Sequence, residues 1–75
     1  MKRYGNSHGH SGIVAYVTTP TSIIVRFVSG ELYEYSDRKP GRAAVARMKE
    51  LAEAGRGLST YISQHVGAAY ERRLT

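Results

Sequence analysis

Three short runs between Ile13 and Tyr35 constrain this chain more than any other feature. Each is rich in β-branched or aromatic residues, and each is bounded by turn chemistry. In the first, Ile13, Ala15 and Val17 alternate with Val14, Tyr16 and Thr18, the period of two that sends successive side chains to opposite faces of a sheet. Thr19-Pro20-Thr21-Ser22 then reverses the chain: proline fixes φ, and the hydroxyls can satisfy nearby backbone groups. Ile23 to Val28 forms the second run, and Ser29-Gly30 turns it into Glu31-Leu32-Tyr33-Glu34-Tyr35. The expectation is a three-stranded antiparallel meander.

The hairpin at Gly30 admits two registers, and they differ in where the tyrosines face. A two-residue Ser29-Gly30 loop pairs Val28 with Glu31 and sets Tyr33 beside Arg26 and Tyr35 beside Ile24. A three-residue Val28-Ser29-Gly30 loop, with Gly30 as a left-handed bulge, pairs Phe27 with Glu31 and sets Tyr33 and Tyr35 beside Val25 and Ile23. The second register is preferred. It gathers Ile23, Val25, Phe27, Tyr33 and Tyr35 on one core face and leaves Arg26 and Glu34 outside, with Ile24 and Leu32 on that same open face.

Beyond the meander the period changes from two to that of a helix. Pro40 suits a first helical position, and Val45, Met48, Leu51 and Ala52 recur at spacings of three and four, with Ala44 on the same side. Arg42, Lys49, Glu50 and Glu53 fall opposite, and Gly55 can close the helix in a left-handed conformation. After Arg56-Gly57, Ser59 or Thr60 can cap a short second helix that buries Leu58, Ile62 and Val66 and stops at Gly67. The fold expected is α+β: a three-stranded antiparallel β-meander, an amphipathic helix packed on one face and a short second helix.

At 75 residues the chain fits one domain. Residues 1–12, rich in Gly, Ser and His, read as a flexible N-terminal arm, residues 13–70 as the domain and residues 71–75 as a basic tail. A chain this small buries only about 60% of its unfolded surface, so self-association into a homo-oligomer would add stability. The sequence has no Cys, which excludes disulfides, Cys-ligated zinc and a thiol nucleophile. Its apolar runs are too short for a membrane span or a signal-peptide core, so a cytoplasmic location is expected.

The order Ile23-x-Val25-x-Phe27, Gly30, Tyr33-Glu34-Tyr35 resembles the centre of the KTSC domain, a small family named for its occurrence at the C-terminus of some lysyl-tRNA synthetases. The second half is similar in outline: a Pro-started helix, then Gly57-Leu58-Ser59-Thr60-Tyr61-Ile62 and Tyr70. The chain departs from the family where an aromatic pair is followed by Asn, since Tyr61-Ile62-Ser63 stands there. The resemblance spans residues 11–70. It implies a free-standing bacterial or phage protein, with RNA binding suggested by the synthetase fusion.

Charge points the same way. Eleven Lys and Arg against six Asp and Glu give a net charge of +5, which favours polyanionic partners. Arg38, Lys39 and Arg42 bracket the start of the longer helix, while Glu50 and Glu53 lie toward its end, a distribution that opposes the helix dipole at about 0.3–1 kcal/mol per charge. An anion on the first turn would relieve it. The expected function is therefore a non-catalytic module binding RNA or another phosphate-bearing ligand through Arg38, Lys39 and Arg42, with Arg26, Arg56, Arg72 and Arg73 extending the surface. Glu34, beside Arg26, is expected to weaken that residue's contribution by pairing with it. The alternative is a protein-interaction module, self-associating or inhibitory, anchored by Ile24 and Leu32.

No catalytic group, metal or cofactor is expected. His8-Gly9-His10 offers two imidazoles where a structural metal site takes four ligands. His65 reads as a rim residue, and Ser59, Thr60 and Ser63 as caps or helix-surface groups. A ribonuclease would need a histidine on a strand within reach of phosphate-binding cations, and the histidines fall in the arm or on the last helix.

Overall fold

A computed structural model describes residues 1–5 and 12–75 of the chain. Five strands lie side by side in sequence order, each antiparallel to the next: β1 (Lys2–Arg3), β2 (Ile13–Thr18), β3 (Ser22–Phe27), β4 (Leu32–Ser36) and β5 (Arg72–Arg73). The helices are α1 (Arg42–Ala54) and α2 (Leu58–Tyr61), and α2 runs directly into a π-helical turn, Ile62–Val66. The α+β class and the central meander are as expected, but the three-stranded sheet is corrected to five strands. Both additions are two residues long, too short to leave a periodic signature, and they come from segments read as arm and tail. Residues 6–11 of the arm, including His8 and His10, lie outside the described residues.

The β3–β4 register is the preferred one: Ile23 opposes Tyr35, Val25 opposes Tyr33 and Arg26 opposes Leu32. The Phe27 N–H donates to Glu31 O at 2.9 Å and the Gly30 N–H to Phe27 O at 2.8 Å, closing the turn with Gly30 at φ 99°. Strict alternation fails in β2, however. Ile13 opposes Phe27 and Ala15 opposes Arg26, so Val14 is an extra, bulged residue. The bulge lets Ile13 and Tyr16, three positions apart, both enter the core.

That core is filled from the sheet by Ile13, Tyr16, Ile23, Val25 and Tyr35, from α1 by Val45, Met48 and Ala52, and from the second helical segment by Leu58, Ile62 and Val66. Tyr70 packs beside the strand tyrosines, 4.6 Å from Tyr33 and 6.3 Å from Tyr35 between ring centroids. Pro40, expected at the first helical position, precedes α1 by two residues and bridges back to Ser36, leaving Gly41 as the N-cap. Gly55 ends the helix at φ 76°, as its sequence position suggested. Lys49, placed on the solvent side by periodicity, instead reaches the β2–β3 turn, where Nζ donates to Thr19 O at 2.7 Å.

The start of α2 shows what the sequence concealed. Neither Ser59 nor Thr60 caps it; the N-cap is Gly57, which has no side chain to offer. The Leu58 N–H donates instead to the hydroxyl of Tyr4, 3.2 Å away and fifty-four positions earlier in the chain. Tyr4 is buried, and its own N–H donates to Val14 O at 3.0 Å. Next to it the backbones of Gly5 and Gly55 approach so closely that a Cβ on either would lie 3.1 Å from the other's Cα.

Two consequences can be measured. Tyr4→Phe keeps the ring and strands a buried N–H, so it should lower unfolding free energy by about 1–3 kcal/mol in urea titrations; an unchanged midpoint would show that water caps Leu58 equally well. Burial, then the neighbouring Tyr33 and Tyr70, push the Tyr35 phenol from the ordinary value near 10 up to about 12. The folded protein thus holds a proton that the unfolded chain loses. Stability is intact below pH 10 and falls by about 3 kcal/mol as pH rises from 10 to 12. Tyr35→Phe should flatten that decline, and equal alkaline slopes in both proteins would refute it.

Candidate functional site

The structure does not assemble the expected phosphate cluster. Ser36, buried at the end of β4, organises the loop leading to α1: its Oγ accepts the N–H groups of Arg38 and Lys39, each at 3.2 Å, and donates to Glu71 Oε1 at 2.8 Å. Arg38 Nε lies 3.6 Å from that same carboxylate oxygen, with its side chain 86% exposed. Beside it, Arg72 Nε pairs with Glu34 Oε1 at 2.9 Å. These groups line a cavity of about 330 Å³ together with Thr21 and Asp37, so two guanidiniums face three carboxylates, Glu34, Asp37 and Glu71. An added anion would enter a place already overfilled with negative charge.

The remaining predicted residues are dispersed. Lys39 and Arg42 are exposed and do not line that cavity. Arg73 sits 3.8 Å from Glu31 and lies over the Tyr33 ring at 5.9 Å. Arg26 opposes Ala15 on one side and Leu32 on the other, on the sheet face away from the helices. Glu34 is opposite Ile24 and held by Arg72, so the expected Arg26–Glu34 pairing is corrected. Ile24 and Leu32 are half-buried on that same open face.

A second depression gathers a different set. Where α1 meets α2, Arg47 and Leu51 from the helix, Arg56 and Gly57 from the connection, and Thr60, Tyr61, Gln64 and His65 from the following segment line an open groove of about 530 Å³. No carboxylate lines it. Arg47 Nη1 touches Glu50 Oε1 at 3.3 Å on the outer helix surface, an exposed pair worth a few tenths of a kcal/mol that a stronger anion can displace. The π-turn makes the other wall: the Gly67 N–H donates to Ile62 O, and His65 lies beside Tyr61 with ring centroids 4.9 Å apart and planes 34° from parallel. Single π-turns recur at functional sites.

Of this set only Arg56 was among the expected contacts. Arg47 was missed because periodicity places it on the outside of α1, and an outward arginine looks like any solvated charge. His65, expected as a rim residue, lines the same groove as Arg47 and Arg56 across the Gly55–Gly57 reversal. Comparison with protein-family models, curated proteins and solved structures found no match. Among the described residues no group of three or more metal-ligating side chains occurs, and no helix is long and apolar enough to cross a membrane.

If Ser36 organises the α1 approach as described, Ser36→Ala should cost about 1–2 kcal/mol, comparable to losing a helix cap, because the Arg38 and Lys39 amides lose their acceptor together. Thermal denaturation checks this, and a change under about 0.5 kcal/mol would mean that solvent substitutes for the hydroxyl.

Proposed function

We propose that the domain is a non-catalytic binding module for RNA or another phosphate-bearing ligand, seated in the groove between α1 and α2. One observation carries this reading: the two cavities have opposite electrostatic linings. The groove lining holds two guanidiniums and an imidazole, with Glu50 touching Arg47 from outside it, whereas the cavity at Arg38 and Arg72 is lined by three carboxylates against two cations. Arginine is suited to phosphate because its planar fork can donate two parallel hydrogen bonds. A single imidazole with no carboxylate partner supports binding rather than paired acid–base chemistry. The KTSC resemblance adds an RNA context to the proposal.

A second reading concerns the other face of the sheet. Ile24 and Leu32 lie there among Arg26 and Glu34, with Val17 36% and Leu74 42% exposed nearby, and these apolar side chains support a protein contact or self-association.

Titration of a single-stranded RNA oligomer at 50 and 200 mM salt separates the two. Engagement of two phosphates predicts a log–log salt slope of about −1 to −2. Arg47→Glu/Arg56→Glu should weaken binding by about tenfold or more, beyond the effect of Arg3→Glu/Arg26→Glu, which changes net charge equally on the opposite face. Equal losses in both double variants would overturn the groove. Salt-independent association that is abolished by Ile24→Asp would favour the sheet-face reading.

A further inference from the structure

From the walls of the same groove we infer that its ligand is a nucleotide unit, with the base set against Tyr61 and His65 and the phosphate held by Arg47 and Arg56. This rests on the phosphate reading above and specifies what the phosphate is attached to. Phosphate alone would need only the two arginines. The groove also has an aromatic wall, an apolar floor at Leu51 and neutral hydrogen-bonding groups at Thr60 and Gln64. Its volume of about 530 Å³ lies within the range of small-molecule sites, roughly 300–1,000 Å³, and far exceeds the needs of a bare anion. Tyr61 is half-buried and packed against the core, so its ring is held in place before a ligand arrives, while His65 beside it is exposed. A planar base can stack against this ring pair on the side that His65 leaves open to solvent. Flat π-systems stack there whatever their hydrogen-bonding edge, so the site should tolerate base identity.

A nucleotide unit can come from a free mononucleotide or from an RNA strand. The test is a two-dimensional NMR titration of the labelled protein with AMP, adenosine, ribose 5-phosphate and a tetra-adenylate. AMP should bind on the order of tenfold more tightly than ribose 5-phosphate, the difference being the stacking contribution. Shifts should centre on Arg47, Arg56, Tyr61 and His65. His65→Ala, at an exposed position that leaves the core intact, should shrink the AMP advantage, whereas Arg56→Gln should weaken AMP and ribose 5-phosphate alike. Competition of AMP with tetra-adenylate for the same shifts places both sources in one seat, and their relative affinities show which is preferred. Equal affinity for AMP and ribose 5-phosphate would overturn the base seat while leaving the phosphate reading standing. Absence of groove shifts with every phosphate-bearing probe would overturn both.

Discussion

The Tyr4 hydroxyl and the Gly5–Gly55 contact hold the sheet and the helices in their relation to one another. Leu58 begins α2 without a capping side chain of its own, and the Tyr4 oxygen supplies the missing acceptor from β1's side of the molecule. At the same point, two glycine backbones meet so closely that a Cβ on either would lie 3.1 Å from the other's Cα and force a small shift. The end of α1, the reversal through Arg56 and Gly57, and the start of α2 therefore meet Tyr4 and Gly5, the two residues that follow the edge strand β1. The groove walls lie on the outer side of that reversal, where Leu51 and Tyr61 also pack against the core.

Much of the framework was legible because local rules agreed. Ile23, Val25 and Tyr35 are buried, and Gly30 closes the turn as the three-residue register requires. Val45, Met48 and Ala52 face inward at helical spacing, and Gly55 terminates α1. What stayed hidden needed tertiary information. A bulge at Val14 rephases β2, and no residue type there announces it. Edge strands of two residues owe their existence to backbone pairing with a neighbour, so Lys2–Arg3 and Arg72–Arg73 look like tail in one dimension. Tyr4 looks like an isolated aromatic in a polar segment until its partner, Leu58, is known.

The site was less legible than the fold, and for an electrostatic reason. Positive charge close in sequence suggested a shared pocket at Arg38, Lys39 and Arg42, but Glu71, from the approach to β5, and Glu34, on β4, take up Arg38 and Arg72. Linear charge density does not reveal which carboxylates the fold will deliver. Arg47, Arg56 and His65 are separated by eight residues at each step, so no window along the chain unites them. What unites them is the sharp reversal between the helices and the widened turn that follows Tyr61.

The sheet's two rims share one further property. Each is a strand only two residues long, and each is built from cations: Lys2 and Arg3 on one side, Arg72 and Arg73 on the other. A strand from another molecule that tried to extend the sheet would find only two residues to pair with on either side. The same few residues that complete the architecture thus discourage copies of it from stacking edge to edge into fibrils.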